Sequence, residues 1–195
     1  MRPVTAIVLA AGLSSRMGVQ KLLLPIDNKP MLQHTLDLVA RLPFAHCVLV
    51  TTPEVAAQVE TTAQIIINPT PELGQSGSVR LGVLASEPGD SLLFLTGDQP
   101  LLDEATLAAI LAADDGGRII YPTGADGVPK SPVLFAARFR EELLALEGDE
   151  GGRQVRRRYP AACYAVQAAN EAALQDVDTP EAYARIQTED ALKSQ

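Results

Sequence analysis

Residues 6–25, Ala-Ile-Val-Leu-Ala-Ala-Gly-Leu-Ser-Ser-Arg-Met-Gly-Val-Gln-Lys-Leu-Leu-Leu-Pro, constrain this chain more than any other stretch. The apolar run from Val4 to Leu9 is short enough for one buried strand. It breaks into Ala10, Ala11 and Gly12, followed by Ser14, Ser15 and Gly18, and two cations stand in the loop, Arg16 and Lys21. A buried strand feeding a loop of small residues with spaced cations suits an anion whose phosphates must come close to the backbone. The absence of bulk at residues 10–12 also lets a flat base lie against the main chain. These features together predict a nucleoside triphosphate site.

Strand and helix signals alternate along the rest of the chain, which predicts a layered α/β fold. Pro30 opens a helix carrying Leu32, Leu36 and Val39 to about Arg41. Residues 45–50 read as a strand, Pro53 as the start of a helix to near Thr61, and Gln64 to Ile67 as a third strand. Gly74–Ser78 leads into a helix with Val79, Val83 and Leu84 on one face. A strand from Ser91 to Leu95 ends in Thr96-Gly97-Asp98-Gln99-Pro100, and Asp103 caps a helix with Leu107, Ile110 and Leu111. Arg118–Tyr121 and Pro132–Phe135 read as strands around an irregular loop or hairpin, before a helix with Phe139, Leu143 and Leu146. A flexible acidic link, Gly148–Gly152, then leads to a short basic helix at Arg153–Arg158. Ala161–Val166 and Ala173–Val177 are strand-like, and Thr179 and Pro180 supply the cap and first turn of a last helix. The polar tail after about Thr188 is expected to fray. With no repeats or low-complexity segments, residues 1–195 are read as one domain.

A formal charge of −8 argues against a nucleic-acid-binding surface. It also requires that a polyanionic ligand be met by a local cationic pocket or a metal, because the overall field repels it. No apolar run approaches the roughly 20 residues of a membrane span. Met1-Arg2-Pro3 leads straight into a strand with no signal-peptide pattern, so a cytoplasmic location is expected. Cys47 and Cys163 are then buried free thiols and not a disulfide.

In open α/β sheets ligands bind beyond the carboxyl ends of the strands. Ala10–Lys21, Gly97–Gln99 and Asp176–Thr179 are the segments read as ending strands with useful chemistry. Magnesium takes oxygen ligands, commonly one or two carboxylates completed by phosphates and water. Asp98 and Asp178 are the carboxylates assigned to it, with Asp176 in reserve. Gly97 leaves room beside the ion, and Pro100 holds Gln99 extended. Each residue has a plainer role when read alone. Asp98 suits a turn, Asp178 a helix dipole, Ser78 a helix start, and Arg156–Arg158 a solvated face. His34 and His46 lie outside the candidate loops, so nucleophilic catalysis finds little support. Neither Gly-x-Gly-x-x-Gly after the first strand nor Gly-x-x-x-x-Gly-Lys-Ser/Thr occurs, and no Cys-x-x-Cys suggests zinc.

Leu9-Ala-Ala-Gly-Leu-Ser-Ser-Arg-Met-Gly-x-x-Lys-Leu-Leu-Leu-Pro25 resembles the signature of the MobA-like nucleotidyltransferases, and within them the molybdenum cofactor cytidylyltransferases. The resemblance continues through Gly74–Gly82, Gly97-Asp-Gln-Pro100, Gly148-Asp149…Gly152-Arg153 and Asp176-Val-Asp-Thr-Pro-Glu181. It implies a Rossmann-like three-layer α/β/α fold with a mostly parallel sheet. The activity implied is magnesium-dependent transfer of a nucleoside monophosphate to a phosphate-bearing acceptor, with release of pyrophosphate.

By this similarity Leu9, Ala10, Ala11, Gly12 and Ser78 contact the nucleotide, and Arg16 and Lys21 hold its triphosphate. Asp98 and Asp178 bind magnesium, or manganese in its place. Arg16, Lys21 and Asp98 form the catalytic set, and Arg153 and Gln99 face the acceptor. The acceptor phosphate is already an anion at neutral pH, so in-line positioning and charge neutralisation suffice without a general base.

Guanylyltransferase relatives resemble Ala-Gly-Gly in the first loop and often Gly-Asp-Met-Pro in the second, whereas this chain has Ala11 and Gln99. That difference favours CTP over GTP. The implied acceptor is molybdopterin, the molybdenum cofactor, and the implied partner a molybdenum hydroxylase of the xanthine dehydrogenase type. One departure is that Lys130-Ser131 precede Pro132 where the family commonly has Gly-His. GTP, another phosphorylated acceptor such as a sugar phosphate, and a non-catalytic cofactor carrier stay open as alternatives. The joint presence of Arg16, Lys21, Asp98 and Asp178 weighs against the carrier.

Overall fold

In the computed structural model, residues 2–12 and 18–193 are described. Strand β1 (Val4–Ala10) is apolar on both sides and must be covered on both. Ala6, Val8 and Ala10 point into one core, with Leu32, Leu36, Val39, Leu107 and Ile110. Ile7 points into a second, with Val79, Val83, Phe139, Leu143 and Val155. This period-two alternation makes the molecule a three-layer α/β/α sandwich.

After β1 come a small ribbon, β2 (Pro25–Ile26) and β3 (Lys29–Pro30), then helix α1 (Met31–Arg41) and strand β4 (His46–Thr51). Helix α2 (Pro53–Ala56), strand β5 (Gln64–Ile67), helix α3 (Gln75–Leu84) and strand β6 (Ser91–Thr96) follow. The second half holds α4 (Glu104–Ala112), β7 (Ile119–Thr123), β8 (Val133–Phe135), α5 (Arg140–Leu144), α6 (Gly152–Arg158), β9 (Cys163–Gln167) and α7 (Pro180–Lys193). The seven-stranded sheet has the order β5-β4-β1-β6-β8-β7-β9. β5, β4, β1 and β6 run parallel, β8 is antiparallel to both its neighbours, and β9 is parallel to β7. Caps behave as their residue types require: Asp103 Oδ1 accepts from the Thr106 amide at 2.8 Å, and Thr179 Oγ1 from the Ala182 amide at 3.2 Å.

Several local expectations need correction. The helix from Pro53 ends at Ala56 and not near Thr61, since Gln33 of α1 takes over the following backbone. Its amide donates to the Glu60 carbonyl at 2.8 Å and its carbonyl accepts from the Glu60 amide at 2.9 Å. Residues 173–177 do not form a strand; Glu171–Leu174 is a 3-10 turn whose start is capped by Asn170. The helix expected to hold Phe139, Leu143 and Leu146 is split into a 3-10 turn, Ala137–Phe139, and α5, with Leu146 buried beyond its end. In α3, Val79 and Val83 are buried but Leu84 is 65% exposed, one helical step off the apolar face. The acidic link is tied down, because the Gly148 carbonyl accepts from both the amide and the hydroxyl of Ser76, at 3.2 and 2.7 Å. Cys47 and Cys163 are half-buried free thiols, Cys47 at the partly exposed start of β4 and Cys163 at the start of the edge strand β9. Among the described residues no helix is long and apolar enough to cross a membrane.

Helix α3 lies close on β1 because Gly82 presents no side chain to it; an ideal Cβ there would collide with Cγ2 of the fully buried Ile7. That methyl sits on a branched Cβ and has no room to retreat. Gly82→Ala should therefore lower the unfolding free energy by about 1–3 kcal/mol in a urea titration, with little change in the slope.

Candidate functional site

Parallel pairing of β4, β1 and β6 brings their carboxyl ends to one edge of the sheet. The Gly97 amide donates to the Leu9 carbonyl at 3.2 Å, extending the pairing of β6 with β1 into the turn that carries Asp98. The loop after β1 returns in a 3-10 turn, Lys21–Leu23, whose buried Leu22 anchors it to the core. Lys21 Nζ then stands 2.7 Å from Asp98 Oδ2 and 2.6 Å from Asp178 Oδ1. Burial alone would push the Lys21 pKa down, but Asp98 and Asp178 outweigh it and hold the ammonium above the ordinary lysine value.

Asp176–Thr179 arrives by a different route from the one expected. It follows a 3-10 turn, not a strand, and is stitched to the site by the Val177 amide, which donates to the Asp98 carbonyl at 2.9 Å. Val177 itself is buried with Ile26, Met31 and Ile186. Three chain segments thus converge on one ion-paired cluster.

The cluster lies in a cleft of about 600 Å³, lined also by Leu9, Ala11, Gly12, Ser78 and Gly97. Ser78 Oγ accepts from Asn68 Nδ2 at 3.0 Å, a bond that fixes its direction. Ala10 departs from the expectation: its methyl is 1% exposed and belongs to the core, because strand alternation turns it away from Leu9 and Ala11. Gln99, expected at the acceptor, is also 1% exposed and points inward. Its amide donates to the Ser131 and Leu174 carbonyls, at 3.2 and 3.4 Å, so it braces loops behind the site. Arg16 lies outside the described residues.

A second cleft, also of about 600 Å³, adjoins the first, and Leu9, Gln75, Thr96 and Asp149 line both. Arg153 lines it as part of a cationic wall with Lys130, Arg156 and Arg157, over an apolar floor of Val79, Phe94, Val133 and Phe135. Arg156 also stacks over the Tyr121 ring, 5.0 Å from its centroid. Lys130, Arg156 and Arg157 were missed in the sequence; the available signal was that Arg153 and Arg157 fall one helical turn apart. Gly74, just before α3 and lining the first cleft, adopts φ 103°, and its missing Cβ leaves room for the Gly148 carbonyl.

Residues 6–163 match the MobA-like NTP transferase domain. The chain belongs to that family, and it is a nucleotidyltransferase. It is 29% identical to a molybdenum cofactor guanylyltransferase of Xanthomonas euvesicatoria pv. vesicatoria, over 95% of each chain. It is 31% identical to the purine catabolism protein PucB of Bacillus subtilis, over 91% of this chain and 92% of that protein. The crystal structure of Rv0371C from Mycobacterium tuberculosis in complex with manganese superposes with a TM-score of 0.79 at 27% identity, covering 95% of this chain and 98% of that one.

The carboxylates of this MobA-like nucleotidyltransferase fit a hard divalent cation. Asp98 Oδ1 is buried and has no hydrogen-bond partner, an orphaned acceptor that a cation would satisfy. Asp178 stands beside it across Lys21. Among the described residues no group of three or more metal-binding side chains forms a complete cage. Two carboxylates completed by phosphate and water are the usual arrangement for magnesium with a nucleotide.

Asp176, the third carboxylate, reaches solvent at the rim, yet its pKa is pushed up from 3.8 to about 6 by desolvation and then by the charges of Asp98 and Asp178. A carboxyl whose folded pKa is raised binds its proton more tightly in the folded state, so its ionisation penalises the fold above about pH 6, and the penalty fades as pH falls toward 4. Asp176→Asn should raise the melting midpoint by about 2 °C at pH 8, after allowance for its exposure, and the gain should shrink between pH 6 and pH 4.

Proposed function

We propose that this protein transfers CMP from CTP to the terminal phosphate of molybdopterin, the molybdenum cofactor, with release of pyrophosphate. The observation that carries this reading is the pair of adjoining clefts, one holding Lys21, Asp98 and Asp178, the other walled by Lys130, Arg153, Arg156 and Arg157. A chain of charge −8 that concentrates cations on one cleft is built to meet an anion there.

In this reading Leu9, Ala11, Gly12 and Ser78 receive the base and ribose, and Arg16 and Lys21 the phosphates. Asp98 and Asp178 hold magnesium, or manganese in its place. The metal supplies charge neutralisation at the polyphosphate. Arg153 and its cationic neighbours orient the acceptor phosphate. An oxygen of that phosphate forms a bond to the α-phosphorus, the bond from the α-phosphorus to the bridging oxygen breaks, and pyrophosphate carries the charge away. The attacking group is already ionised, so the site needs to position and neutralise and has no proton to remove. A cytoplasmic location, and a hydroxylase of the xanthine dehydrogenase type as recipient of the product, belong to the same reading.

GTP is the second reading, favoured by the guanylyltransferase name of the Xanthomonas relative. Ala11 favours CTP, since it lines the cleft at a position where the smaller glycine would leave more space. Such a difference in apolar shape discriminates by only about 1–3 kcal/mol. Incubation of the protein with molybdenum cofactor, magnesium and each nucleoside triphosphate in turn, with pyrophosphate as the readout, separates the readings. CTP should give the highest kcat/KM; a GTP preference would replace the cytidylyl assignment, and no pyrophosphate with any nucleotide would overturn the reaction. Asp98→Ala should lower kcat by about 10²–10³-fold while the circular dichroism spectrum is retained. Loss of the fold would instead make Asp98 a structural turn residue.

A further inference from the structure

The Lys21 ammonium occupies the space between the two carboxylates assigned above to a divalent cation. It lies 2.7 Å from Asp98 Oδ2 and 2.6 Å from Asp178 Oδ1, on a side chain only 13% exposed. With Asp176 adjoining, this ammonium offsets part of a local concentration of carboxylate charge. An ammonium and a divalent cation repel each other and compete for the same oxygens. We propose that Lys21 is an exchangeable counter-ion that bars a divalent cation from the Asp98–Asp178 pair until a polyphosphate draws its ammonium away.

The inference rests on the nucleotidyltransferase reading of this cleft and adds an order of events to it. An ammonium this sheltered has little water to move into, so leaving its carboxylates without a new partner is costly. The phosphates of a nucleotide supply that partner. The exchange needs no movement of the backbone, because Leu22 and the 3-10 turn Lys21–Leu23 are pinned to the core while the lysine carries a flexible four-carbon stem. The nucleotide then brings the cation in with it. The metal-binding carboxylates stay neutralised at every other time.

The competing arrangement is a cation on the orphaned Asp98 Oδ1 with Lys21 still in place. Manganese binding, followed by the electron paramagnetic resonance signal of free Mn²⁺, distinguishes the two. Wild-type protein should bind Mn²⁺ weakly alone and more tightly with a non-hydrolysable α,β-methylene analogue of CTP or GTP, beyond the binding of Mn²⁺ to the analogue itself. Lys21→Gln should bind Mn²⁺ alone on the order of tenfold more tightly than wild type. Lys21→Arg should stay close to wild type, and Asp98→Asn added to Lys21→Gln should erase the gain.

Unchanged or weaker Mn²⁺ binding by Lys21→Gln would overturn the counter-ion role while leaving the metal assignment intact. Failure of wild type to take up Mn²⁺ with either analogue would overturn the metal assignment itself. The ¹⁵N resonance of the Lys21 ammonium in wild type serves where Lys21→Gln does not fold. It should be unmoved by Mg²⁺ alone and shift when Mg²⁺ and analogue are both present. A shift with Mg²⁺ alone, or none with both, would overturn the proposal.

Discussion

Lys21 is bound to Asp98 and Asp178, residues 77 and 157 positions further along the chain, and the functional edge of the molecule depends on that contact. Two carboxylates and a neighbouring third would repel one another in a half-buried cleft. The ammonium makes their approach tolerable, and the fold in turn makes the approach unavoidable. Parallel register places the ends of β1 and β6 side by side, and the hydrogen bond from the Val177 amide to the Asp98 carbonyl brings in the last segment. The strong electrostatics therefore sit on rigid supports, the condition under which charged groups hold a polyphosphate without first reorganising.

Much of the sheet was legible because its strands are apolar on both faces and short. Val4–Ala10 and Ser91–Thr96 are too short for a buried helix, and the small-residue turns that close them favour strands. Lys21 and Asp98 were legible as residues of one cleft, though not as an ion pair, because both lie in loops that leave parallel strands, which fixes their edge of the sheet. What failed depended on contacts distant in sequence. The early end of α2 comes from Gln33, 27 residues before the backbone group it captures. Residues 173–177, Ala-Leu-Gln-Asp-Val, hold apolar residues at both ends, but Ala173 and Leu174 are buried through a 3-10 turn that Asn170 starts, and so short a pattern does not separate a strand from such a turn.

The second cleft was least legible because its cations look like surface residues. In α6 only Val155 is buried, and it packs into the core with Phe135 and Leu143. That single anchor decides which way Arg153, Arg156 and Arg157 face. Nothing in the basic run itself separates a solvated helix face from the wall of a binding site. The global charge points the right way, however: where the whole chain repels anions, a local run of arginines is worth locating.

Lys130 and Ser131 stand where the resemblance expects glycine and histidine, and the structure gives that departure a physical sense. Ser131 contributes its carbonyl to Gln99, so this position is tied to the loop behind Asp98. Lys130 lines the second cleft beside the arginines of α6. Ser131 takes the histidine's place with a short hydroxyl, and Lys130 takes the glycine's with a compact charge on a flexible stem. The departure adds a flexible positive charge with reach toward an acceptor phosphate. Under the proposed reaction, acceptor recognition in this protein leans on charge more than on shape. Its affinity for the acceptor should therefore fall with added salt more steeply than its affinity for the nucleotide, whose base the proposal sets against Leu9, Ala11 and Gly12.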